Sequence, residues 1–126
     1  MLNQYDPEHT PDPEEWLELD EQERIFFVEE HHSRARIKLH NLTAHAIFHV
    51  IVENQIAEGL DPVLRAMARL TQEGLTRHDA VHAIASVVGG HIDELFNAKD
   101  DAITSQTRYN AVVERLTVKS WYRDYG

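Results

Sequence analysis

The chain contains no cysteine. That absence removes disulfides and every thiolate metal site, so an ion bound here would rest on imidazole and carboxylate, and a reducing compartment poses no difficulty. Glycine and proline are sparse, five and four in 126 residues, and no glycine-rich phosphate loop, strand pattern or internal repeat emerges. No apolar run approaches the roughly 20 residues that cross a bilayer. The segment Met1 to Glu8 has neither a basic region nor an apolar stretch of the kind a secretory signal needs. Basic residues are outnumbered, 12 lysines and arginines against 22 acidic residues, for a formal charge of −10. Such a balance repels phosphate backbones and anionic lipid, so the expectation is a soluble, cytoplasmic protein with no nucleic-acid or membrane partner.

What the chain does have is histidine, nine residues in all. Their full protonation would bring the formal charge close to neutral. His9, His31 and His32 lie in polar surroundings and read as surface residues. The others include a pattern. The stretch Thr43 to Ala57 is the most apolar in the chain and yet carries His45, His49 and Glu53, four residues apart. In a helix of about 3.6 residues per turn these three stack on one stripe, successive members about 6 Å apart. His78 and His82 repeat the spacing further on.

The length of 126 residues suits one domain that buries a core without staples. Residues 1–12, polar and carrying Pro7 and Pro11, read as an extended arm that covers the body or moves freely. Asp12 and Pro13 then suit the start of a first helix, about Pro13 to Ser33, with a second cap at Asp20 able to split it. The basic residues Arg34, Arg36 and Lys38 follow, either an anion site or a counterweight to the acidic helix. A second helix runs from about Leu42, capped by Asn41, to Glu58, with Gly59 in the left-handed conformation after it. It is apolar on nearly every side, which marks it as the buried centre of a bundle.

A third helix starts with Asp61 as its cap and Pro62 in its first position, and ends near Gly74. Thr76 to Asp79 has the form of a capping box that opens the fourth, where His78, His82, Ala85 and Gly89 share one side. Gly89-Gly90 either ends this helix or kinks it before His91 to Phe96. After a polar loop a last helix covers about Thr104 to Leu116, and Thr117 starts one more turn bearing Trp121 and Tyr122. The predicted class is all-α, a small single-domain bundle of about five helices with residues 13–96 as core helices and 104–126 as C-terminal helix and aromatic turn.

Three segments carry a resemblance: Thr-Pro-Asp-Pro-Glu-Glu-Trp-Leu from Thr10, His-Ala-Ile-Phe-His-Val-Ile-Val-Glu-Asn-Gln-Ile-Ala from His45, and Gly-Leu-Thr-Arg-His-Asp-Ala-Val-His-Ala-Ile from Gly74. Over roughly residues 10 to 95 the chain resembles the bacterial domain of unknown function 1841 family, which implies a helical fold and no established activity. A more partial likeness is to hemerythrin-like bundles, whose His-x-x-x-Glu and His-x-x-x-His helices would correspond to His49 with Glu53 and His78 with His82. The pattern departs where their late His-x-x-x-x-Asp should stand, since five residues after His91 comes Phe96. Too few carboxylates remain to bridge two irons.

The stripes therefore predict a single divalent ion, zinc, iron, nickel or manganese, between two helices, with His49, Glu53, His78 and His82 as ligands and His45 as a fifth ligand or a supporting partner. With three ligands bound, a coordinated water would permit hydroxide chemistry with Glu53 as base. The same residues also fit a metal-free bundle in which Glu53 hydrogen-bonds to His78 or His82 and fixes the register. In that case Trp121, Tyr122 and Tyr125 would dock on a protein partner or a second copy. A third reading is a bundle loosened when its paired histidines take up protons.

Overall fold

A computed structural model describes residues 2–34, 42–97 and 101–125 of the chain. Its helices are α1 (Pro13–Glu18), α2 (Glu21–Arg34), α3 (Leu42–Ala57), α4 (Asp61–Gln72), α5 (Arg77–Asn97), α6 (Ala102–Arg115) and α7 (Val118–Tyr125). Among the described residues there is no strand, so the all-α class stands. The described residues form seven helices where about five were expected, and two local causes account for the difference.

The first cause is at Asp20. Its carboxylate accepts from the Glu23 N–H at 2.8 Å and the Glu23 carboxylate accepts from the Asp20 N–H at 3.2 Å. This reciprocal cap satisfies donors that a continuous helix would have paired internally, and it divides the first helix into α1 and α2. The second is at Thr117, where Thr117 and Ser120 exchange the same kind of bonds at 2.9 and 3.0 Å and open a full helix rather than one turn. At α5 the Thr76 hydroxyl accepts from the Asp79 N–H at 3.1 Å, as the capping pattern implies.

Gly59 and Gly74 end α3 and α4 at φ 75° and 111°. Leu60 N–H reaches back to the Gln55 carbonyl at 2.9 Å and Leu75 N–H to that of Leu70 at 3.1 Å, the bonds of left-handed helix ends. Two expectations are corrected. The residue before α4 is Leu60, without a side-chain cap, and Asp61 is already helical. α5 runs unbroken through Gly89 and Gly90, because packing against α3, α4, α6 and α7 outweighs a propensity cost of about 1 kcal/mol per glycine. The Asn41 cap, Arg36 and Lys38 lie outside the described residues.

α3 is the hub, packed against α1, α2, α4 and α5. Its apolar circumference serves two cores. Val52 faces a cluster with Val63, Leu70, Val81, Ile84, Tyr109 and Val113, built from α3 to α6. Ala46 and Val50 face a second, with Tyr5, Trp16, Leu19 and Val28. Full burial of each such aliphatic side chain contributes about 1.5–3 kcal/mol. The N-terminal arm covers the body, and it supplies core as well, since Tyr5 is fully buried. Trp16 is pinned by its Nε1–H donating to Asn54 Oδ1 at 2.9 Å. No helix among the described residues is long and apolar enough to cross a membrane.

Candidate metal centre

The α3–α5 contact sets the two histidine stripes face to face. His45 and His49 come from consecutive turns of α3, and His78 and His82 from consecutive turns of α5. Nε2 of His45 and Nε2 of His82 lie 3.0 Å apart. One donor atom from each of His45, His49 and His82 falls within 4.8 Å of the other two. His49 is fully buried, while His45 and His82 are half-buried.

Two nitrogens bound to one tetrahedral zinc at about 2.0–2.1 Å sit about 3.3 Å apart. The His45–His82 pair needs to open by only a few tenths of an ångström to reach that value. Without an ion, one ring offers Nε2–H and the other its lone pair, because hydrogens on both facing nitrogens would collide.

His78 packs its ring on His82, centroids 4.3 Å apart, and on His49 at 5.3 Å. It is half-buried at the edge of the triad. His31 of α2, expected on the surface, extends the cluster instead: its ring meets His78 edge-on at 5.6 Å and Tyr5 at 6.1 Å. Val28, one helical turn earlier, is fully buried, so the i+3 position inherits the inward face. His9 is exposed and pairs with Asp6 at 2.8 Å. His91 lies against Tyr109 and Ser105.

Glu53, expected as a ligand, is engaged elsewhere. Arg77 grips both of its oxygens, with Nη1 and Nη2 each 2.8 Å away, in a pair whose side chains are 11% and 1% exposed. A charge so deeply buried is tolerable only with such a partner and further hydrogen bonds. The Tyr5 hydroxyl supplies one at 2.5 Å. Burial first, and the adjacent Glu53 charge second, push the Tyr5 phenol well above its ordinary pKa. Burial also works against the Arg77 cation, but Glu53 more than offsets it and the guanidinium lies above its usual value.

Tyr5 therefore keeps its proton and donates it to Glu53. Toward His49, whose Nδ1 is 3.3 Å from the same oxygen, the phenol can only accept. That places the hydrogen of His49 on Nδ1 and the lone pair on Nε2, the arrangement a metal ligand needs. Glu53 thus orients His49 through Tyr5. Arg77 also ties down the arm, donating to the Pro7 carbonyl at 2.8 Å and the Thr10 hydroxyl at 3.0 Å.

Tyr5 and Arg77 were not foreseen as parts of this centre. Arg77 leaves one sequence signal: a cation at the first position of a helix opposes the helix dipole, and such a residue needs an acid nearby. Tyr5 is the sole aromatic among residues 1–12, a weaker sign that the arm docks.

The chain matches no family model, no curated protein and no solved structure.

Proposed function

We propose that this chain binds one divalent metal ion through His45, His49 and His82. The observation that carries the reading is the convergence of three imidazoles, one fully buried, from two facing helices within 4.8 Å of one another. His78 buttresses the ring of His82, and the Arg77–Glu53–Tyr5 chain holds His49 in the ligating tautomer. An all-imidazole set favours zinc, iron or nickel over manganese, which prefers oxygen ligands. Three histidines leave a further coordination position, where zinc would make bound water acidic enough to act as a nucleophile near neutral pH. The acidic surface, formal charge −10, supports a protein that works away from nucleic acid and anionic membranes.

Elemental analysis of untagged protein tests the reading. About one equivalent of metal per chain is expected, lost in His45→Ala and His82→Ala variants that retain their helical circular dichroism. Wild-type protein that neither carries nor takes up metal would rule the reading out.

A second reading, a self-associating module, has one observation in its favour: Tyr122 and Tyr125 are 60% and 45% exposed on α7. Trp121 supports it less, because its Nε1–H donates inward to the Ser86 hydroxyl at 3.2 Å. A Tyr122→Ser/Tyr125→Ser variant that sediments as the wild type does would dispose of it.

A further inference from the structure

We infer that the ion's remaining coordination position serves a small, uncharged ligand that carries a metal-binding head on an apolar body. The inference rests on the metal reading above and extends it. Beside His45 and His82 lies a cavity of about 320 Å³, lined also by Phe48, Ala85, Ser86 and Gly89. His49, the histidine that meets Tyr5, is no part of its wall. A ligand entering it would meet the two half-buried imidazoles first.

The lining decides the chemistry of the occupant. Among the described residues it contains no Asp, Glu, Lys or Arg, so a second charged group on the ligand would lose its hydration there without gaining a partner. Phosphorylated and dicarboxylic compounds are excluded on that ground. Ser86 adds little polarity, since its hydroxyl donates to the His82 carbonyl at 3.0 Å and accepts from Trp121 at 3.2 Å. Phe48, Ala85 and Gly89 offer an apolar wall. The volume stands at the lower end of the roughly 300–1,000 Å³ found for small-molecule sites, which limits the body to about one ring.

Cobalt(II) gives a visible spectrum that reports the same ligand set. The loaded protein is titrated with benzohydroxamic acid, uncharged near neutral pH, and with acetohydroxamic acid, which has the same head and only a methyl group. Benzohydroxamic acid should bind at least about tenfold more tightly, the gain expected from burying one phenyl ring. Among the described residues a Cβ built at Gly89 would meet Phe48 alone, at 3.8 Å, an ordinary contact, so Gly89→Leu should fold and occupy the cavity; Ala85→Leu is the second variant. Either should abolish the preference and leave the cobalt stoichiometry at one. Equal affinity for the two probes in the wild type, or a preference that survives both substitutions, overturns the inference and leaves the metal reading intact. A chain that takes up no cobalt overturns both.

Discussion

Tyr5 joins the arm, the buried ion pair and the histidine cluster through a single oxygen, so its hydroxyl can be removed with two separable consequences. Tyr5→Phe preserves the ring packed on Trp16, centroids 5.7 Å apart, and takes away one hydrogen bond to a buried carboxylate. Urea unfolding should show a loss of about 1–3 kcal/mol. Zinc affinity, measured against a competing chelator, should fall about tenfold or more as His49 loses its orienting partner; an unchanged affinity would show that the tautomer is set by something else. Arg77→Ala leaves Glu53 buried without its cation and should cost about 3–5 kcal/mol in the same assay, whereas an Arg77→Met/Glu53→Met pair should recover much of that.

The phenols also set an alkaline limit. Burial raises Tyr109 to about 12 and Tyr5 is raised as well. A pKa higher in the folded than in the unfolded state means stability that is full below about pH 10 and lost as pH climbs toward 12. Unfolding free energy should therefore hold steady from pH 7 to about 9.5 and then decline, and Tyr109→Phe should shallow that decline.

At the scale of elements, the short helix α1 cannot persist on six residues alone, and its position depends on one amide. Asn54 Oδ1 accepts from Trp16 Nε1 and from Arg24 Nη1, both at 2.9 Å, while Arg24 closes the end of α1 through the carbonyls of Trp16 and Leu17 at 3.1 and 3.0 Å. Asn54→Ala leaves the buried indole N–H without that acceptor, at a cost of about 1–3 kcal/mol. The fluorescence of Trp16 should shift before the far-ultraviolet signal changes; coincident transitions would mean that α1 is not a separable unit. Most of these elements could be read along the chain, since Asp20, Gly59, Gly74, Thr76 and Thr117 act on backbone groups within a few residues. The Asp61 cap and the helix end at Gly89-Gly90 did not form for the opposite reason: their state depends on what packs against the helix, which no local pattern records.

For the molecule as a whole, a ligand that binds only the folded chain stabilises it in proportion to the logarithm of its concentration. Zinc at about a hundred times its Kd should add about 2.7 kcal/mol and raise the melting temperature by several degrees, with a chelator reversing the shift. A melting temperature indifferent to zinc, iron and nickel alike would count decisively against the site. The helical class, the central place of α3 and the inward spacing of His45, His49, His78 and His82 were determined by the sequence itself, because the 3.6-residue period and the density of apolar side chains act within one segment. Which of those residues meet was decided by tertiary packing. The crossing of α3 and α5 selected His82 as the partner of His45, and the return of the arm across α5 brought Tyr5 to His49. Arg77 drew Glu53 into an ion pair, since a buried carboxylate goes to the nearest cation that can reach both of its oxygens, and residues 24 positions apart in the chain become neighbours only once the helices have docked.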